Sequence, residues 1–184
     1  ALMSFQVLVE SLKKAVGDAV TDVVEDCGDP FVVVDPARIL DVLSFLRDSP
    51  ETNLDCLSLM SGVDYPKDGI MEVVYHLDSI RRNTPFTVKA KVDRDNCRLP
   101  SVTSLYNTAK WHEREVFDLS GVHFEGHPNL TRILCADDWI GHPLRKDYQW
   151  PEDYHGIPCG PFAMEEKNIP SEWEIEGFTT KNTG

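Results

Sequence analysis

Between Thr84 and Val92 every second residue is apolar: Phe86, Val88, Ala90 and Val92 alternate with Thr87, Lys89 and Lys91. A period of two puts the apolar set on one side of an extended chain, so this segment demands a sheet with one buried face. The stretch from Phe5 to Val16 carries another period. Phe5, Leu8, Val9, Leu12 and Val16 fall on one helical face, Lys13 and Lys14 lie near its C-terminal end, and Gly17 is a natural stop. A one-faced helix and a one-faced strand bury their apolar sides most simply against each other, in two layers.

The remaining elements fit that frame. Val20 to Glu25 and Phe31 to Val34 are short β-type runs, and Cys27, Gly28, Asp29 and Pro30 between them are hairpin chemistry. Asp35 followed by Pro36 opens a second helix, an N-cap acceptor and then a proline at the first helical position, with Ile39, Leu40, Leu43 and Leu46 on its apolar face. Two further strands are expected over Asp55 to Met60 and Met71 to Asp78, with Asp64 to Gly69 as a turn before the second. After Pro100 a third helix is expected from about Ser101, with Val102, Leu105, Ala109, His112, Val116 and Leu119 on one stripe and Gly121 at its end. The predicted class is α+β: a two-layer, mixed β-sheet with helices on one face, in the order α-β-β-α-β-β-β-α, followed by an extended C-terminal arm.

We read residues 1–100 as a globular α+β domain, 101–150 as a helix and loop segment, and 151–184 as the arm. In the last 34 residues, proline and glycine make up 8 and the net charge is −5. Such a composition buries too little apolar surface to offset its own ordering entropy. Yet it holds Tyr154, Ile157, Phe162, Trp173, Ile175 and Phe178, side chains suited to a partner's grooves.

Charge removes several function classes. With 31 acidic and 18 basic residues the chain carries −13, so nucleic-acid and anionic-membrane binding are both disfavoured. No apolar run approaches a membrane span, and the residues from Ala1 to Phe5 lack the charged start of an export signal. Cys27, Cys56, Cys97, Cys135 and Cys159 form no C-x-x-C pair, so they read as reduced intracellular thiols without a cluster or zinc site. No G-x-G-x-x-G or P-loop lysine occurs.

The stretch from Trp111 to Tyr148 is chemically the densest. His123 and His127 have i, i+4 spacing, but Gly126 and Pro128 break the helix that would align them as metal ligands. Glu113 and Glu115 project to nearly opposite sides of a helix, which argues against a carboxylate pair. A nucleophile built on Cys135 has no local signature. The structural reading is that Arg114 and Asp118 can pair along the helix, or that the exposed Glu113, Arg114 and Glu115 instead meet complementary charges on another chain, and that Arg132-Ile133-Leu134 is a short buried strand or extended piece. Asp138 to Tyr148 is then an irregular loop of interface-type residues, in which Arg145, beside Lys146, docks to a partner carboxylate.

The run Glu113-Arg114-Glu115, Asp118, Gly121, Phe124, His127-Pro128, Leu130, Arg132-Ile133-Leu134, Trp139, Gly141, His142-Pro143-Leu144-Arg145-Lys146-Asp147-Tyr148 resembles the C-type subunit of NADH:quinone oxidoreductase, bacterial respiratory complex I. That resemblance implies a peripheral-arm protein at the cytoplasmic face of the bacterial inner membrane, with no cofactor of its own. FMN, iron–sulfur clusters and quinone would belong to partner subunits. It further implies that the motif packs on the hydrogenase-like large (D-type) subunit, next to the cluster-bearing (B-type) one. Partner-interface candidates are therefore Trp111, Glu113, Arg114, Glu115, Asp118, His127, Arg132, Trp139, His142, Leu144, Arg145, Lys146, Asp147 and Tyr148. The competing readings are the equivalent subunit of a ferredoxin- or F420H2-dependent dehydrogenase or membrane-bound hydrogenase, a free-standing metal-dependent hydrolase using His123 and His127, and a soluble binding module.

Overall fold

A computed structural model describes residues 5–159. Helix α1 (Phe5–Val16) leads through a 3₁₀ turn into the hairpin β1 (Val20–Val24) and β2 (Phe31–Val34). The Asp35 side chain accepts a hydrogen bond from Ala37 N at 2.9 Å, capping a 3₁₀ turn at Pro36–Arg38 that continues as α2 (Ile39–Asp48). Strands β3 (Cys56–Tyr65), β4 (Ile70–Ser79) and β5 (Thr84–Asp93) follow as a meander. The sheet order is β1-β2-β5-β4-β3, antiparallel throughout except where β2 runs parallel to β5. It is a mixed sheet because the segment after β2 crosses over through α2 and returns two strands before β5 closes the gap.

Register shows how the alternation is used. Val32 lies beside Val88, Val88 beside Tyr75 and Tyr75 beside Met60, while Val34, Ala90, Val73 and Gly62 form the next row. Residues opposite one another share a face. Onto this face Phe5 of α1 stacks against Phe86 at 5.3 Å, with Leu8, Val9 and Leu12 of α1 and Ile39, Val42, Leu43 and Leu46 of α2 in the same core. The other face carries the polar set of β5: Lys89 pairs with Glu72 at 3.1 Å and sits 3.8 Å above the Phe31 ring.

Helix α3 (Ala109–Ser120) crosses the same face over β3. Gly62 permits the approach, since a Cβ there would stand 3.0 Å from both Val116 Cγ1 and Ser120 Oγ. The buried positions of α3 include Ala109, Glu113, Val116 and Ser120, while His112 and Leu119 are only half-buried. The helix is thus rotated by about one residue from the apolar stripe expected for it. It also begins at Ala109 instead of near Ser101. The residues before it make turns that side chains tie down: Ser101 Oγ and Val102 N donate to Glu113, and Tyr106 OH and Thr108 Oγ1 donate to the carbonyls of Leu54 and Leu57.

Two other expectations are corrected. Strand β3 continues to Tyr65, so the turn expected from Asp64 is confined to the residues after Tyr65. Two three-residue strands, β6 (Arg98–Pro100) and β7 (His123–Glu125), pair in parallel, too short for any period to be read. They carry Leu99 and Phe124 into the core. The chain divides into two compact units between Tyr148 and Gln149. In the second, Asp153–Tyr154 (β8) and Ile157–Pro158 (β9) form a small antiparallel ribbon. Tyr154 is half-buried and Ile157 exposed; the arm's Phe162, Trp173, Ile175 and Phe178 lie outside the described residues.

Candidate functional site

Beyond β7 the chain from Gly126 to Tyr148 has no regular structure, so its backbone must find partners elsewhere. Two carboxylates and one helix end anchor it, helped by arginine side chains. Asp118 is fully buried; its Oδ2 accepts from the backbone N–H groups of Ile133, Leu134 and Cys135 at 2.7–3.0 Å, and its Oδ1 accepts from Arg132 at 2.7 Å. Burial alone would raise its pKa, but the three N–H groups and the guanidinium together hold it at about 2. The remaining arm of Arg132 donates to the carbonyls of Trp139 and Gly141.

The end of α3 is the second anchor. A helix leaves its last carbonyls without intrahelical partners. Gly121, at φ 79°, turns the chain out with its N–H on Phe117 O. The next three carbonyls go to the motif: Asp118 O meets His142 Nδ1 at 2.9 Å, Leu119 O receives Leu144 N at 2.8 Å, and Ser120 O receives Arg145 Nε at 3.0 Å. The run His142-Pro143-Leu144-Arg145 is therefore the cap of α3. A Cβ on Gly121 would stand 2.6 Å from the His142 ring, so this closure requires glycine.

Asp64 is the third anchor. It takes Arg94 in a two-point pair at 2.7 and 3.0 Å and the Lys146 N–H at 2.8 Å. The Arg94 guanidinium keeps its carboxyl below the usual range, and Arg94 also reaches Asp147 at 2.5 Å. Neither Asp64 nor Arg94 stands out in the sequence, since one abuts a turn-like Tyr-Pro and the other opens a polar loop.

Several motif residues serve the chain's own architecture where contacts to another chain were expected. Glu113, expected exposed, is fully buried; its oxygens accept from Ser101 Oγ and Val102 N at 2.7 Å each, and burial raises its pKa to about 7 despite those bonds. Arg114 does not pair with Asp118; it donates to the carbonyls of Thr131 and Arg132. Arg145 serves Ser120 O, and Arg132-Ile133-Leu134 is an irregular wrap around Asp118 and not a strand. The common reason is that an irregular segment needs side chains to satisfy its backbone. His142 is half-buried on the helix end, and the Tyr148 ring packs on Gly141.

Outward the loop presents large apolar side chains among charged ones, Asp137, Asp138, Lys146 and Asp147 being exposed as well. Leu134, Ile140 and Leu144 are 64%, 86% and 56% exposed, and Trp111 on α3 is 62% exposed. Glu115, Lys146 and Asp147 accompany them in the same stretch of chain, as does Trp139, whose carbonyl holds Arg132. His127 accepts from Asn129 N on Nδ1 and has Nε2 3.2 Å from Lys110 O, so both ring nitrogens are engaged, and His123 lies exposed on β7. Among the described residues no group of three or more His, Cys, Asp or Glu is placed to hold a metal ion. The Cys135 thiol has its pKa raised by burial and by Asp118, the opposite of an activated nucleophile.

Residues 32–154 match the family described as respiratory-chain NADH dehydrogenase, 30 Kd subunit. The chain belongs to that family. The matched span takes in nearly all of β2, everything from there to β8, and the whole pinned loop, and leaves α1 and β1 outside. Among relatives of this 30 Kd family, the C-type subunit of NADH-quinone oxidoreductase from Chlorobium phaeobacteroides is 41% identical over 159 residues, 85% of this chain and 93% of that one. The Roseiflexus sp. RS-1 protein of the same name is 47% identical over 141 residues, 76% of this chain and 81% of its own length. That of Chloroherpeton thalassium is 43% identical over 148 residues, 79% of this chain, but the match spans only 61% of that longer protein. In structure, the chain is similar to a trypsin-resistant fragment of Nqo5 (TM-score 0.57, 30% identity, 67% of this chain and 98% of the fragment). It is also similar to a chain of the membrane-bound sulfane sulfur reductase, an archaeal respiratory membrane complex (TM-score 0.62, 30% identity, 78% and 84%).

Proposed function

We propose that this chain is the C-type subunit of a proton-translocating NADH:quinone oxidoreductase, a peripheral-arm protein that holds the hydrogenase-like D-type subunit and the cluster-bearing B-type subunit in fixed relative geometry. In this reading FMN, the iron–sulfur clusters and quinone sit in partner subunits, and this chain contributes no catalytic centre. It attaches to the cytoplasmic face of the bacterial inner membrane through other subunits; no described helix is long and apolar enough to cross a membrane.

The observation that carries the reading is that a loop pinned at many points leaves three large apolar side chains in solvent. Asp118, Asp64 and the end of α3 hold residues 131–147 at many points, yet Leu134, Ile140 and Leu144 are left in solvent. Ordering a loop so thoroughly while exposing its large apolar side chains is what a preformed protein-binding surface requires. The likeness to the sulfane sulfur reductase chain supports a second reading, in which the same kind of subunit serves a complex with a different electron-input module.

The test is assembly. Tagged chain recovered from membranes is expected to bring flavin- and cluster-bearing subunits with it. The triple change Leu134→Asp, Ile140→Asp and Leu144→Asp is expected to cut that recovery while circular dichroism of the purified chain is unchanged. Recovery equal to the parent chain refutes the role of this surface, and a chain found without any cluster-bearing partner refutes the subunit reading.

A further inference from the structure

A second surface, away from the motif's anchors, is built by the first turn of α3 and the turn after β7. Lys110, Trp111, Arg114, His127, Pro128 and Asn129 line a cleft of about 170 Å³. That is smaller than the several hundred Å³ of a typical small-molecule site and suits a single anchoring side chain.

Its charge is anomalous. Lys110 and Arg114 are i, i+4 on α3, a like-charge spacing that costs a few tenths of a kcal/mol. In a chain with 31 acidic residues that repulsion would be easy to relieve, yet among the described residues neither cation has a carboxylate within ion-pair distance. Arg114 is held in place: Nε and Nη2 donate to Thr131 O and Arg132 O at 3.0 and 2.8 Å, and its guanidinium lies 5.5 Å from the Trp111 ring centre. Among the described residues the Nη1 edge has no hydrogen-bond partner. Burial and these two cations keep the neighbouring His127 below its usual pKa, so the cleft's positive charge resides in Lys110 and Arg114.

We infer that this cleft receives an acidic segment of a neighbouring subunit, a carboxylate seating between Lys110 and Arg114 while an adjacent apolar side chain packs on Trp111 and Pro128. The occupant is a peptide and not a polyanion. Two cations cannot neutralise a phosphate backbone, and a chain of charge −13 repels one. The aromatic and proline walls add the apolar contact that hot spots use. The inference rests on the subunit reading for the existence of a neighbour but uses none of Leu134, Ile140 and Leu144, the residues on which that reading stands.

The experiment places p-benzoylphenylalanine at position 111 of the full chain, irradiates the assembled complex in its membranes, and maps the cross-linked peptide by mass spectrometry. The expected product joins position 111 to another subunit at a segment with Asp or Glu within about four residues, one helical turn. Lys110→Glu in the same chain is expected to lower its yield by at least about threefold, the scale of one partly exposed ion pair. A cross-link to a segment without acids, or a yield indifferent to Lys110→Glu, overturns the inference. So does silence at 111 in a complex where the same probe at position 144 does cross-link, and that result leaves the subunit reading standing. A chain that never joins other subunits overturns both.

Discussion

Replacing Asp118 by Asn keeps the shape of the buried side chain and removes its charge. The carboxylate meets donors on both oxygens, three backbone N–H groups on one and Arg132 on the other. An amide has one acceptor atom, so in either orientation its NH2 faces a donor. The charge is held at a pKa of about 2 against an ordinary 3.8, which corresponds to about 2 kcal/mol of native-state stabilisation at neutral pH. The donor–donor mismatch adds about 1 kcal/mol. The variant should therefore lose about 3 kcal/mol, which is about 6–12 °C in Tm for a chain of this size. Urea unfolding of the full chain, followed by far-UV circular dichroism, measures it. The sign of the pH dependence is also fixed. The folded pKa lies below the unfolded one, so the stabilisation is complete above about pH 4 and is lost as pH falls toward 2. The gap between parent and variant should narrow over that window. A loss under about 1 kcal/mol, or a gap that stays constant between about pH 5 and pH 2.5, refutes the view that Asp118 is the charged hub of the loop.

Glu113 should behave oppositely: its folded pKa, about 7, lies above the unfolded value, so its contribution is present below about pH 4.5 and is lost as pH rises through 7. Glu113→Gln should abolish that loss and be more stable than the parent chain at about pH 8, as read by urea midpoints on either side of the folded pKa. Gly62→Val should push α3 off β3 and cost about 1–3 kcal/mol in thermal unfolding, because the first added carbon already stands 3.0 Å from Val116 and Ser120. Gly121→Ala combines a left-handed backbone with a 2.6 Å approach to His142, and should release the helix cap, seen as faster amide exchange at Leu144 with the core amides unchanged. Leu144→Asp alone should leave Tm within about 2 °C while weakening recovery of the assembled complex.

The sheet is legible because its information is periodic. The alternation from Phe86 to Val92 and the apolar run Phe31 to Val34 report a face directly, and both segments are strands in register on that face. Helix α3 is legible as a helix but not in its rotation or its start. Its buried row includes an acid, Glu113, and two small residues, Ala109 and Ser120, which no apolar count would select, and its close neighbour Gly62 lies in a distant strand. Of the candidate site, the motif's boundaries can be read and its internal wiring cannot. Arg132, Arg145 and Asp118 look like surface charges in one dimension; only folding shows that an irregular loop consumes them. Trp111 and Leu144 are large apolar residues in polar surroundings, which is why their exposure is foreseeable, while Lys110 escapes notice because a lone lysine in the first turn of a helix carries no signal.

The cap on α3 has a consequence for synthesis. Ser120 O and Leu119 O each wait for a donor 25 residues further along the chain, and Asp118 O waits for one 24 residues on. While the nascent chain is being made, the sheet and the first turns of the helix can settle, but the final turn of α3 has open carbonyls until Arg145 has left the ribosome, roughly one to five seconds later at ordinary elongation rates. During that interval the N–H groups of Ile133 to Cys135 have emerged and can already gather around Asp118. Folding of this region is therefore ordered by emergence: carboxylate first, helix cap last, and any stall in translation between them holds the chain in a half-closed state with its apolar residues Leu134 and Ile140 already exposed.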